Sequence, residues 1–356
     1  MTDVGAPVLV TGGAGFIGCN LADRLASEGH VVIVYDALLR EGVDRNLAWL
    51  KSRHGGRIIE VRGDVRDPVS LAEAARDAKA VFHMAAQVAV TTSLLDPVED
   101  FEINLRGALN LLEAVRRAGR GAPVIFASTN KVYGDLADIP LELAAEAYQP
   151  QDRRLRARGV SESRPLDFHT PYGCSKGAAD QYVLDYSRSY GLPTCVLRMS
   201  CIYGPRQMGT EDQGWVAHFL IRALEGDPIS IYGDGRQVRD ILYVADAVAA
   251  YLSAWRRIDR VAGRAFNLGG GPANAVSLLQ LIAYIEQLID RKIELTFSDW
   301  RAGDQRYYVS DPSAARGELG LAGPLDWRKG VTALAQWLAA ERGRRLANRR
   351  PAEALS

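Results

Sequence analysis

The 356-residue sequence predicts an α/β protein: a doubly wound parallel sheet with a smaller, interleaved C-terminal lobe. Three observations predict it. Short apolar strands alternate with helical stretches through the first half, the rhythm of strand–helix–strand units. A glycine-rich turn, Thr11-Gly12-Gly13-Ala14-Gly15-Phe16-Ile17-Gly18, separates an apolar run from an apolar-periodic stretch near the N-terminus. Polar residues gather where strands end, the edge at which such sheets place their ligands.

The first strand is Val8-Leu9-Val10, and the helix after the turn carries Leu21, Leu25 and Ala26. Strand, glycine turn and helix in that order are the context of a Rossmann-type dinucleotide fingerprint. Gly12 and Gly15 let backbone N–H groups approach a pyrophosphate, and Gly18 lets the helix pack on the sheet. Phe16 and Ile17 open the helix, whose N-terminal donors and dipole favour an anion. The second strand, Val31 to Tyr35, ends at Asp36, about 20 residues into the unit, where a carboxylate accepts hydrogen bonds from a ribose 2′-hydroxyl. That anion would repel a 2′-phosphate, so NAD is expected over NADP, with Arg40 nearby as the opposing feature.

Ile58 to Val65 reads as a strand whose loop holds adenine through Asp64 and the backbone of Val65. Ala80 to Ala86 reads as another, with Ala85 and Ala86 small where backbone approaches a cofactor. Leu109 to Ala118 is a helix with Leu111, Leu112 and Val115 on one face. Val124 to Ser128 is a buried strand that delivers Thr129 at its C-terminal end. Tyr172 precedes Lys176 by four residues, so a helix puts both heads on one face. The ammonium can lower the phenol's pKa, and the phenolate can take a proton from a sugar hydroxyl while a hydride leaves the same carbon. That spacing is common by chance and gains meaning from the dinucleotide fold around it.

In the second half, Thr194 to Met199 returns as a central strand and Tyr203-Gly204-Pro205 follows it. Ile229 to Tyr232 and Gln237 to Tyr243 read as short strands flanking Gly233-Asp234-Gly235. Ala245 to Trp255 is a helix, Ala265 to Leu268 a strand, and Ser277 caps a helix from Leu278 to Ile289. The stretch from Gly134 to Tyr172, with its basic run Gln151 to Arg158, is long for a link; it is a substrate cover or a flexible surface loop. The resulting division is 1–200 for the dinucleotide domain with an insertion at 135–170, 201–340 for the substrate lobe, and 341–356 for a basic tail without fixed structure.

Taken together, Thr-Gly-Gly-Ala-Gly-Phe-Ile-Gly, Asp36, Ser-Thr-Asn-Lys-Val-Tyr-Gly (128–134) and the Tyr172–Lys176 pair resemble the extended short-chain dehydrogenase/reductase family, the nucleotide-sugar epimerases and dehydratases. The likeness runs from about Val8 to Trp337. The segments 46–50, 128–136, 167–182, 212–216 and 235–240 are similar to its CDP-paratose/CDP-tyvelose 2-epimerase branch, the long 167–182 segment most specifically. The resemblance implies that Tyr172 is the base, that Thr129 hydrogen-bonds the reacting oxygen, and that Lys176 anchors the nicotinamide ribose. Asn104 and Ser128 complete the expected cofactor-binding set. Family dehydratases and decarboxylases carry an acid right after that threonine. Here Asn130 and Lys131 follow it, which argues for oxidation and re-reduction of one carbon. The expected cofactor is therefore NAD, bound tightly and regenerated each turnover.

The expected substrate is a nucleotide-diphosphate sugar, a CDP-hexose favoured over UDP or GDP forms. The resemblance points to C2, and the motifs leave C2 and C4 open. Substrate contacts are expected from Asn130, from Gln213, Gly214, Trp215 and Val216 at a helix start, and from Arg206, Arg239 and Arg301. Guanidinium forks suit phosphate oxygens, although solvated surface arginines are the plainer reading. Trp300 and Tyr232 either stack on a base or pack in the core. His169 is read as structural. By analogy with the family, a homodimer forms through the catalytic helix and Leu109–Ala118.

Lys+Arg and Asp+Glu are 43 each, so nothing suggests a basic nucleic-acid-binding face. No apolar run approaches membrane-spanning length, and the start lacks signal-peptide features. Cys19, Cys174, Cys195 and Cys201 lack metal-site spacing and read as reduced packing residues of a cytoplasmic protein; no metal is expected. A 4-epimerase, a net dehydrogenase, or a non-catalytic dinucleotide sensor on the same fold are the alternatives. Retention of Thr129, Tyr172 and Lys176 together argues against the sensor.

Overall fold

The computed structural model describes residues 5–343 apart from residue 302. The chain runs β1 (Val8–Thr11), α1 (Phe16–Ser27), β2 (Val32–Asp36), α2 (Val43–His54), β3 (Ile58–Arg62), α3 (Pro68–Ala75), β4 (Ala80–His83), α4 (Val90–Leu95), α5 (Pro97–Phe101), α6 (Gly107–Ala118) and β5 (Val124–Thr129). A hairpin, β6 (Leu141–Ala144) and β7 (Ala147–Pro150), and α7 (Arg153–Arg158) precede the long α8 (Thr170–Tyr190) and β8 (Thr194–Met199). Then come β9 (Cys201–Tyr203), α9 (Trp215–Glu225), β10 (Ile229–Tyr232), β11 (Val238–Tyr243), α10 (Val244–Arg256), α11 (Ile258–Val261) and β12 (Arg264–Leu268). The last elements are β13 (Ala275–Ser277), α12 (Leu278–Ile289), β14 (Leu295–Ser298), β15 (Tyr307–Tyr308), α13 (Ser313–Leu319) and α14 (Trp327–Glu341).

Seven parallel strands form the main sheet in the order β12-β8-β5-β4-β1-β2-β3. Along β1, Val8 and Val10 face one helical layer and Leu9 the other. All three are fully buried, the signature of a strand covered on both sides. One layer packs Leu21, Leu25, Leu50 and Val248 from α1, α2 and α10. The other packs Leu71, Leu111, Leu112, Val183 and Tyr186 from α3, α6 and α8. Chain direction across the sheet reverses between β1 and β4, and a crevice opens at the strands' C-terminal ends there. β12 brings residues from beyond position 201 back into this sheet, so the two lobes interleave.

The second lobe packs α9, α12 and α14 around Phe219, Leu220, Ile285 and Leu334. Ser277 caps α12 through a reciprocal capping box with Gln280 (3.2 and 3.0 Å). The strands flanking Gly233-Asp234-Gly235 exist but are not hairpin partners. β10 pairs in parallel with β14, whereas β11 lies among β9, β13 and β15. The Gln237 amide donates to Tyr232 O (2.7 Å) and Gly235 packs on Leu279, so the turn sends the chain to a different sheet.

The 135–170 insertion is a docked element. Tyr148 N donates to Arg236 O (3.0 Å) and its hydroxyl to Asp234 (2.6 Å). Val160 bridges the chain at Ser310, and Asn267 Nδ2 donates to Val160 O (2.8 Å). Leu136, Ile139 and Val160 form a small core with Tyr133 and Tyr308. Cys174 is exposed on α8, in contrast to the packing role expected of it, because its helix position faces away from the sheet. Among the described residues no helix is long and apolar enough to cross a membrane. The tail expected from 341 onward begins inside α14, and its residues from 344 lie outside the described part.

Candidate active site

The glycine turn is built for close approach. Gly12 has φ +64°, and a Cβ there would lie 2.6 Å from Ala85 N at the end of β4. A Cβ on Gly18 would sit 2.1 Å from Gly12 O, so α1 meets the turn backbone to backbone. No side chain caps α1. The N–H groups of its first turn, at Phe16 and Ile17, are thus left without a side-chain cap, as an anion-binding helix start requires. Asp36 is held at the end of β2 by Ala14 N (3.0 Å, to Oδ2) and Leu38 N (2.9 Å, to Oδ1). That fixes the carboxylate beside the turn with lone pairs left for a ribose. The Arg40 guanidinium donates to the Gln213 side chain and also feels the Asp36 charge. These features fit a dinucleotide with free ribose hydroxyls.

At the adenine end, Asp64 is engaged by Arg66 through its backbone N–H and its guanidinium (2.6 Å). Arg66 also holds its carboxyl below the usual range. Val65 is buried against Gly107, and its carbonyl accepts from Asn110 Nδ2 (3.0 Å). Asn110 is a contact that sequence reasoning missed. Ala85 and Ala86, just past β4, line the crevice in the half-buried range.

Thr129 ends β5, and Tyr172 and Lys176 lie one turn apart at the start of α8. The Tyr172 phenol has a side-chain hydrogen bond with Thr129, and its backbone N–H donates to Ser93 Oγ (3.2 Å). Burial pushes Tyr172 up to about 12, and the Asp100 charge adds to this. Burial pulls Lys176 down to about 8 against the Asp180 and Asp100 carboxylates. The Lys176 ammonium donates to Ala127 O (2.6 Å) and lies 4.3 Å from the Phe126 ring centre. Here the structure differs from the expectation that Lys176 depresses the phenol. Desolvation and the Asp100 charge raise the phenol, and the ammonium is turned onto a carbonyl.

Behind this pair lie two buried networks. Asn104 is 1% exposed, and its amide bonds Gln87, Asp100 and Ser175 (3.0–3.2 Å). It therefore ties the crevice wall at Gln87 to α8 at Ser175. Ser128 is equally buried and donates to Asp180 (2.7 Å). Asp180 in turn takes a bidentate grip from Arg198 (2.9 Å each), and Arg198 donates to the Tyr133 hydroxyl (3.1 Å). Asp180 lies four residues beyond Lys176; that spacing was the sequence signal that could have found it. His83, at the end of β4, is pushed down to about 3 by burial and Lys176, so it stays neutral.

The residues expected to hold substrate divide. Asn130 and Arg239 both meet the 304–305 segment, and Arg301 lies just before it in the chain. Asn130 Nδ2 donates to Gln305 (3.0 Å), and Arg239 pairs with Asp304 (2.6 Å). Arg301 lies 3.7 Å over the Tyr232 ring and pairs with Glu211 and Asp212. Gln213 and Gly214 form the turn before α9, where Gly214 is left-handed and packed on Gln207. Arg206 is not brought there. Its backbone has φ +71°, and its guanidinium lies 4.1 Å over Trp49 and 5.5 Å from Trp337. Val216 faces the second-lobe core and Trp215 packs on Phe219. Trp300 stacks near Arg306 (5.3 Å). His169 sits between Asp135 (3.7 Å) and Asp167 (3.4 Å) on the surface.

Residues 8–269 match the model of the NAD dependent epimerase/dehydratase family. The chain is 42% identical over 337 residues to the CDP-paratose 2-epimerase of Salmonella typhi, covering 93% of this chain and 98% of that protein. It is 32% identical over 343 residues to a dTDP-glucose 4,6-dehydratase of Streptomyces griseus, covering 93% of each. Among solved structures it resembles the Thermus thermophilus UDP-glucose 4-epimerase in complex with NAD, at TM-score 0.78 and 30% identity, over 93% of this chain and 98% of that one.

Proposed function

Because the chain belongs to the NAD-dependent epimerase/dehydratase family and is an NAD-dependent enzyme, we propose that it inverts C2 of a CDP-hexose by oxidising and re-reducing that one carbon. The observation that carries the reading is the pair after Thr129. The Asn130 amide is engaged by Gln305, and the Lys131 ammonium donates to Gly303 O (2.9 Å). Neither is a carboxyl that could drive elimination at a neighbouring carbon. Likeness to the Salmonella protein supports C2 and CDP. Likeness to the Thermus structure supports a second reading, inversion at C4 of a UDP-sugar.

When bound, NAD supplies a hydride acceptor that becomes the donor to the same carbon, and a cationic ring that favours a phenolate nearby. Tyr172 accepts the proton of the sugar hydroxyl and later returns it. Thr129 donates to the reacting oxygen, and Lys176 holds the ribose and carries positive charge below about pH 8. Phe16, Ile17 and Asp36 hold the dinucleotide, which stays bound between turnovers. Arg239 and Arg301 bind the diphosphate. A homodimer through α8 and α6 is part of the proposal, supported by the exposed Tyr182 and Tyr190 on α8.

Incubation with CDP-, UDP- and GDP-hexoses, followed by NMR of the sugar ring protons, tests the assignment. Inversion at C2 of a CDP-sugar is expected; inversion at C4 with C2 untouched would overturn it. Asp36→Ala is expected to weaken NAD binding by about tenfold, the loss of one charge-assisted hydrogen bond, and to narrow the preference over NADP. Fluorescence titration with both dinucleotides checks this.

A further inference from the structure

We propose that Asn130 and Lys131 are positioning residues: they lock the 303–305 segment of the second lobe onto the turn after β5, and so set the distance from the diphosphate arginines to Tyr172. The inference rests on the nucleotide-sugar reading above and deepens it.

The segment is tied at its inward end. Gln305 is fully buried; it accepts from Asn130 Nδ2 (3.0 Å) and donates to Gly134 O (2.6 Å). Gly303 O accepts from Lys131 Nζ (2.9 Å). Gly303 itself has φ +69°, and a Cβ there would lie 2.6 Å from Thr170 Cγ2. Thr170 is the first residue of α8, two before Tyr172, and is itself at φ +64°. Only glycine fits between the lysine and that helix start. The outward end carries recognition groups. Asp304 holds the Arg239 guanidinium (2.6 Å), and Arg301 lies over Tyr232. One short stretch therefore joins phosphate-binding candidates to both the Thr129 turn and the Tyr172 helix.

A half-buried ammonium is costly, and desolvation pulls Lys131 down to about 8. The Asp304 and Asp135 charges offset this, while the Arg239 charge adds to it. A cation kept under such conditions needs a geometric use, and the carbonyl of Gly303 provides it. Epimerisation requires the oxidised sugar to present each face in turn to one position while its diphosphate stays held. A loosened anchor displaces the reacting carbon, and a displacement of about 1 Å can cost about a hundredfold in rate. Binding through the arginines would survive, so the loss falls on kcat more than on KM.

The test uses NAD-loaded protein and the variants Lys131→Met, Gly303→Ala and Lys131→Arg. Steady-state kinetics with the CDP-hexose, thermal melting and amide hydrogen exchange over 301–306 are measured on each. Lys131→Met and Gly303→Ala are expected to speed exchange in that segment and to lower kcat about ten- to a hundredfold, with KM changed less than about threefold. Lys131→Arg, which keeps a donor, is expected to recover most of the rate. Faster exchange with unchanged kcat, a loss confined to KM, or a melting loss with Lys131→Arg no better than Lys131→Met would overturn the proposal. If the wild type turned over no nucleotide sugar, the proposed function would fall. The exchange comparison would still decide the tie: unchanged protection in Lys131→Met would refute it.

Discussion

Replacing Tyr172 by Phe is expected to lower kcat by about 10²- to 10⁴-fold while leaving folding and NAD binding near wild type. Only the hydroxyl is removed. Thr129 Oγ1 keeps its contacts with Lys131 N (3.2 Å) and Asn130 Oδ1 (3.4 Å), so no buried group is orphaned. The size of the effect follows from the phenol being the group placed to take and return the sugar proton. Burial sets a condition on that role. With the phenol pushed up to about 12, it stays protonated through neutral pH in the NAD-free protein. A wild-type-minus-Tyr172→Phe ultraviolet difference titration should therefore show no phenolate between about pH 6 and about pH 9 without NAD, and a lower onset with NAD bound. Near-wild-type turnover in Tyr172→Phe would remove the tyrosine from the mechanism.

Asp180→Asn is expected to cost about 3–5 kcal/mol, because it leaves Arg198 charged and unpaired where the pair is 0–5% exposed. For a chain of this size that corresponds to a fall of roughly 5 °C in Tm. Removing both charges, as in Asp180→Leu/Arg198→Met, should cost less than Asp180→Asn alone. The variant also carries a pH signature. The Asp180 carboxylate raises the pKa of Lys176, and without it that value falls below about 8. Lys176 then loses its charge at lower pH, so the alkaline limb of kcat/KM moves to lower pH. Calorimetry of the wild type, Asp180→Asn and Asp180→Leu/Arg198→Met, with a pH–rate profile of Asp180→Asn, measures both effects.

The parts of the fold written in local pattern were legible in the sequence. Strand, glycine turn and helix from Val8 to Ala26 are contiguous, and Tyr172 and Lys176 share a helix face by spacing alone. Asp36 and Thr129 sit at strand ends, which the alternation of β1 to β5 locates. What was not legible depends on distant partners. β10 and β11 are neighbours in sequence, but pairing with β14 puts β10 in a different sheet. Arg206 looks like a phosphate ligand, but a left-handed backbone and two tryptophans far away in sequence redirect it. The bonds of Asn104 to Gln87, Asp100 and Ser175 join segments that local pattern does not bring together. The direction of the Tyr172 shift followed the same rule: the Lys176 spacing is local, whereas burial is a property of the whole site.

In the proposed reaction one carbon gives up a hydride and receives it back within the same protein. It is tested most directly with CDP-hexose carrying deuterium at C2. The account predicts product with inverted C2, deuterium retained at that carbon, and no NADH released to solution. Deuterium lost to water, retained at an uninverted C2 beside an inverted C4, or found in free NADH would contradict it.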